Sequence, residues 1–218
     1  MNATLEMLLH RKVLAVIRDV SSDSIIPLVW ALTDGGVGCV EVTLDSASEE
    51  NTEDALQSIS KLDKEFGDMI TLGAGTVLSP NNVRRAAQAG ARYIVSPDSN
   101  EEVIKETKSL GLVSVPGAMT PTEILRAWEW GADIIKLFPA SVLGYDYIKA
   151  IKVPIRHIPL FAVGGVNQHN AREFLEAGCD GIGAGSYLIN KKLIDAKDYF
   201  AIRTIAKEYA MACVGVYA

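Results

Sequence analysis

Eight short β-branched runs, separated by amphipathic stretches of helical period, limit this chain to few folds. The runs are VLAVI (13–17), CVEVT (39–43), ITLGAG (70–75), RYIVS (92–96), LVSVP (112–116), DIIKLF (133–138), PLFAV (159–163) and GIGA (181–184). Their spacing of about 20 to 30 residues is what one strand, one helix and two short loops require. The joints repeat. GGVGCVEV, AGARYIVS, LGLVSVP, WGADIIKL and AGCDGIGA each end a helical stretch on glycine just before a strand, where a left-handed residue closes the helix. The opposite joints, SSDS, SPNN, DSNEE, TPTE and NQHN, carry helix-start chemistry, with Pro80 and Pro121 at first helical positions.

Strand, crossover helix and strand, eight times over, predict a parallel sheet. With 218 residues and no shift in composition, the pattern predicts one α/β domain over 1–218, a closed (β/α)8 TIM barrel. An open doubly wound sheet is the alternative. Its dinucleotide fingerprint is missing, because the first strand runs into IRDVSS. Residues 191–212 read as one last helix.

Bulk properties exclude several classes. A net charge of −6 argues against a nucleic-acid partner. No apolar run approaches the roughly 18–20 residues of a membrane helix. The start, MNATLEMLLHRK, lacks a signal-peptide pattern. Cys39, Cys179 and Cys213 form neither a metal spacing nor a disulfide framework, and a cytoplasmic protein is expected. His10, His157 and His169 are scattered, without metal or triad spacing. EENTEDA (49–55) reads as the solvated start of a helix. Trp128 and Trp130 read as packing residues or as a face toward a neighbouring subunit.

Against this background Lys136 stands out. It sits in ADIIKLFPAS, among residues of a doubly buried strand, where an unpaired lysine is rare. Alternate strand residues point into a barrel. By phase, Lys136 goes with Ile134 and Phe138, Glu41 with Cys39 and Thr43, Arg18 with Leu14 and Val16, and Thr76 with Leu72 and Ala74. If that face is inward, these four meet at the C-terminal mouth, where such barrels react. The plain alternatives are a buried Lys136–Glu41 ion pair, a surface Arg18 and a turn-forming Thr76.

A desolvated amine loses affinity for its proton, and the neutral amine attacks ketones to form a Schiff base. Such chemistry makes or breaks carbon–carbon bonds and needs a proton carrier, a part open to Glu41. VGGVN (163–167) and GAGSYL (183–188) follow the seventh and eighth runs, where barrel loops bind phosphate through backbone N–H groups.

VLAVIR, VEVTL, GAGTVL, SVPGAMTPTE, IIKLFPAS, FAVGGV and GAGSYL resemble, in order and from about Val13 to Leu188, the 2-keto-3-deoxy-6-phosphogluconate / 4-hydroxy-2-oxoglutarate aldolase family. The resemblance implies a (β/α)8 barrel, a homotrimer, and a class I aldolase with no metal or other cofactor. It implies Lys136 as Schiff-base lysine and Glu41 as proton-transferring glutamate. Arg18 and Thr76 then contact the pyruvate side, and Gly164, Gly165, Gly185 and Ser186 hold phosphate. Pro97 and Phe138 line the pocket. The expected reaction splits 2-dehydro-3-deoxy-6-phosphogluconate into pyruvate and glyceraldehyde 3-phosphate.

Two departures bear on the substrate. Gluconate-type members carry Arg two residues after the Thr of EVTLRT. Here the stretch is EVTLDS, and Asp45 holds that place. They also show TGG where this chain has VGG. With FPASVLGYDYIKAIK, these features look closer to the 6-phosphogalactonate aldolase branch, although that branch has Asn at the first place. A 4-hydroxy-2-oxoglutarate aldolase is a further alternative. So are a phosphosugar isomerase or epimerase on a similar barrel, and a non-catalytic phosphosugar-binding barrel.

Overall fold

A computed structural model describes residues 2–215. Its strands are β1 (Val13–Ile17), β2 (Cys39–Thr43), β3 (Thr71–Gly75), β4 (Tyr93–Val95), β5 (Val113–Val115), β6 (Gly117–Ala118), β7 (Ile135–Leu137), β8 (Leu160–Val163) and β9 (Gly181–Ala184). Its helices are α1 (Ala3–Arg11), α2 (Ile25–Asp34), α3 (Glu49–Phe66), α4 (Pro80–Ala89), α5 (Glu101–Ser109), α6 (Pro121–Glu129), α7 (Ala140–Lys152), α8 (Ala171–Glu176), α9 (Lys191–Asp195) and α10 (Tyr199–Ala212). The sheet runs β5-β4-β3-β2-β1-β9-β8-β7-β6, with every pairing parallel.

Nine strands replace the expected eight because the fifth run divides at Pro116, which has no amide to give a ladder. Its two pieces are the two ends of the sheet, so one segment, 113–118, closes the ring. The ladder continues across the break: Ser114 O accepts from Asp133 N, Pro116 O from Lys136 N and Ala118 O from Phe138 N. The fold is the expected α/β barrel.

The joints work as the sequence predicts. Gly36, Gly90, Gly111, Gly131 and Gly178 all have positive φ. Ser79 and Asn100 cap α4 and α5, and Thr120 with Glu123 forms a capping box on α6. EENTEDA opens α3, with Thr52 and Ala55 turned inward. The expected last helix is two: Lys197 is left-handed between α9 and α10, and Asp198 restarts the helix by accepting from Ala201 N.

Apolar surface buries in two layers. The larger lies between strands and helices, and Trp128 and Trp130 pack against it. The smaller fills the bore: Leu14, Cys39, Tyr93, Val95, Val113, Val115, Ile134 and Phe161, closed below by Leu5, Leu8 and Leu9 of α1. This floor leaves the opposite, C-terminal mouth as the open end. Among the described residues, no helix is long and apolar enough to cross a membrane.

Candidate active site

The expected phase holds for β1, β2 and β7. Leu14, Cys39 and Ile134 face the bore, which carries Glu41 and Lys136 inward above them. Glu41 is only 1% exposed and Lys136 only 8%. In β3 the phase is the reverse of that expected. Leu72 and Ala74 belong to the outer layer. The inward positions are Gly73 and Gly75, where a Cβ would overlap the Tyr93 ring and the Glu41 carboxylate. Thr76 reaches the mouth by another route: its backbone turns left-handed at φ 55°, uncommon for a β-branched residue. There its Oγ1 accepts from Nη2 of Arg18 at 3.0 Å.

Arg18, Thr76, Pro97, Lys136, Phe138, Gly164, Gly165, Gly185 and Ser186 line one cavity of about 330 Å³, with Val163 and Tyr187 completing its wall. Lys136 Nζ lies 5.2 Å from the Phe138 ring centroid, within cation–π reach. Glu41 sits beneath this cavity. Among the described residues no ion pair within 4.0 Å joins it to Lys136, so the buried-pair reading fails. Burial pushes the Glu41 carboxyl above its ordinary value, and the charges of Lys136 and Arg18 pull it partly back. A carboxyl raised toward neutrality suits a group that must both take and give a proton.

Gly164 and Gly165 have φ 95° and 76°, a conformation glycine adopts without strain. A Cβ on Gly164 would press on the Phe138 ring, and one on Gly165 would overlap Ser141. A Cβ on Gly185 would meet nothing within 4 Å. Here the absent side chain opens the cavity rather than easing a turn. Among the described loop bonds, the amides of Gly164, Gly165, Gly185 and Ser186 find no acceptor in the chain. Four such donors around one mouth suit an anion. NQHN starts α8 as expected: Asn167 Oδ1 accepts from His169 N and Asn170 N, and Asn170 is the residue on which α8 begins before Ala171. His169 lies in the turn that leads into α8 and is exposed.

A larger cavity of about 510 Å³ lies beside this one, over the ends of β1 and β2. It shares Arg18 but is not lined by Lys136, and the chemistry favours the smaller space. Asp45 lines the larger one. Its Oδ1 accepts from Ala47 N at 2.9 Å and its Oδ2 from Asn51 Nδ2 at 2.8 Å, which ties it to the approach to α3. Its charge also feels Arg18, which lines both cavities.

The profile of the KDPG and KHG aldolase family matches residues 5–205. The chain belongs to that family. Its members are class I aldolases, carbon–carbon lyases whose chemistry runs through a pyruvate Schiff base. Over 176 residues the chain is 39% identical to the 2-dehydro-3-deoxy-6-phosphogalactonate aldolase of Escherichia coli, covering 80% of this chain and 83% of that one. Over 212 residues it is 31% identical to the 2-dehydro-3-deoxy-phosphogluconate aldolase of Treponema pallidum, covering 97% of each. Among solved structures, the KDPG aldolase of Legionella pneumophila, with pyruvate captured as a covalent carbinolamine, superposes with a TM-score of 0.82. It is 25% identical and covers 100% of this chain and 99% of that one.

Three contributors lie outside the sequence expectations. Gly73 and Gly75 make room for the side chains of neighbouring strands, and their period of two in TLGAG was the available signal. Tyr93 brings a hydroxyl into the bore from an otherwise apolar run.

Proposed function

We propose that this aldolase cleaves a phosphorylated 2-keto-3-deoxy sugar acid to pyruvate and glyceraldehyde 3-phosphate, with Lys136 as the Schiff-base residue. The observation that carries this reading is a buried lysine with no carboxylate partner at ion-pair distance among the described residues, facing a cavity rimmed by amides that none of those residues accepts from.

The unprotonated amine of Lys136 adds to the C2 carbonyl, and loss of water with uptake of one proton gives the protonated imine. The C4 hydroxyl passes its proton to Glu41. The C3–C4 electron pair moves into the imine, and the aldehyde leaves. Glu41 returns the proton to C3 of the resulting enamine. Addition of one water frees pyruvate, releases the proton taken up and restores the unprotonated amine, so that water and proton both balance over the cycle. Arg18, bonded to Thr76, offers cationic and hydroxyl donors to the pyruvate carboxylate. Gly164, Gly165, Gly185 and Ser186 supply donors to the phosphate, while Pro97 and Phe138 form the wall between the two ends. Assembly as a homotrimer belongs to this reading, and sedimentation velocity checks it.

The galactonate epimer is favoured as substrate. Val163 of VGG puts an apolar side chain on the cavity wall where gluconate-type members carry a hydroxyl, and the 39% relative is a galactonate enzyme. The gluconate epimer is the second reading, supported by the relative matched over 97% of the chain. A coupled pyruvate-release assay on both epimers separates them. The expected result is a higher kcat/KM for the galactonate form. The reverse order would reassign the substrate. Silence on both, with the imine still forming, would point to an unphosphorylated acid such as 4-hydroxy-2-oxoglutarate.

A further inference from the structure

Two side chains of the bore each carry a fully buried polar atom with no hydrogen-bond partner among the described residues: Oε2 of Glu41 and the hydroxyl of Tyr93. Register puts them at one height. Glu41 stands opposite Gly73, and Gly73 stands opposite Tyr93, on three successive strands. Because Gly73 has no side chain, the phenol ring takes its place; a Cβ there would overlap Cε2 and Cζ of Tyr93. The hydroxyl-bearing end therefore reaches over β3 toward β2. Glu41 uses the same gap one step higher, above Gly75. Phenylalanine would fill the space over Gly73 without burying an O–H, so packing gives no reason for the hydroxyl. Tyr93 holds a donor without an acceptor, and Glu41 an acceptor without a donor.

We propose that Tyr93 is a positioning residue for Glu41: the two are not hydrogen-bonded here, and the hydroxyl donates to the carboxylate once it ionises, from the closed side of the bore, while Lys136 and Arg18 face it from the substrate side. The inference rests on Glu41 being the proton carrier. The groups around that carboxylate are Lys136 from β7, Arg18 beyond β1, Tyr93 from β4 and Cys39 below it on β2. Burial first, with the Glu41 carboxylate adding to it, pushes the Tyr93 phenol well above its ordinary value, so it remains a protonated donor. Burial pushes the Cys39 thiol up to about 12, and its Sγ points at the Met7 carbonyl, 4.0 Å away. The thiol is therefore neutral and weakly bonded elsewhere. Donation from Tyr93 favours the ionised carboxylate, the form that accepts the C4 proton, and fixes the oxygen that does not carry it.

The test compares wild type, Tyr93→Phe and Glu41→Gln by the pH dependence of pyruvate release, by borohydride trapping of the pyruvate imine and by Tm. Tyr93→Phe should fold, with a Tm equal to or above wild type, and still trap the imine. Its kcat should fall about tenfold, and the acid limb of its profile should move up by about one pH unit, because a carboxylate that loses a donor holds its proton harder. A wild-type limb and kcat in Tyr93→Phe would overturn the proposal. So would a lower Tm with an unmoved limb, which is a purely structural role. An acid limb that survives Glu41→Gln would overturn the acid–base assignment of Glu41, and the proposal with it.

Discussion

The carboxylate of Glu41 occupies the space that a side chain on Gly75 would fill: a Cβ built there would overlap Oε1. Glycine at 75 is therefore part of how the glutamate is held, although it carries no functional group. Gly75→Ala should displace the carboxylate by the width of a methyl group. Misplacement on that scale costs about 10²-fold in rate. Turnover should fall by that order while the Lys136 imine with pyruvate still forms, which single-turnover trapping beside steady-state kinetics would check.

Glu41→Gln should slow turnover by about 10²–10⁴-fold, the range for loss of an acid–base group. The same variant tests the electrostatics. Burial raises the Glu41 carboxyl above its ordinary value near 4.5, so the fold favours the protonated form. That stabilisation is complete below 4.5 and is lost as pH rises through the raised value. A permanently neutral glutamine should therefore raise Tm over wild type at mildly alkaline pH. The gap should close as pH falls toward 4.5. A thermal-melt series across pH reads it directly.

What the sequence made legible, and what it did not, follows from physics. Lys136 and Glu41 were visible because a charge inside an apolar strand costs too much to be incidental, and strand alternation then fixed where they point. Thr76 was found for the wrong reason: alternation fails at a left-handed residue, and no local pattern announced one. Glycines at joints announced themselves by position. Gly73 and Gly75 did not, because their role is to be crossed by side chains from other strands. The floor helix α1 and the split at Pro116 depend on ring closure, a contact between parts distant in sequence. The direction of Asp45 depended on Ala47 and Asn51, whose bonds to it form only once α3 is in place.

Asp45→Ala should lower Tm, because it strips the acceptor from Ala47 N and Asn51 Nδ2. It should leave the KM for the keto acid unchanged, since the carboxylate faces the neighbouring cavity. Kinetics and a thermal melt on one preparation check both halves. A KM that drops would place Asp45 against the substrate carboxylate.

Ser186→Ala keeps the backbone amide but strips the residue's second donor, its hydroxyl, and should raise KM for the phosphorylated substrate by about tenfold, the worth of one hydrogen bond to a charged group. Cleavage of an unphosphorylated 2-keto acid should stay as in wild type. Parallel titrations with the two substrates distinguish loss of a phosphate contact from a general disturbance of the loop.

Lys136 is proposed to carry the chemistry as an imine. Borohydride reduction in the presence of pyruvate, followed by peptide mass spectrometry, tests it most directly. The expected result is one stable adduct, on the peptide containing Lys136, absent in Lys136→Met although that variant folds. An adduct on a different lysine, or none from active enzyme, would contradict it.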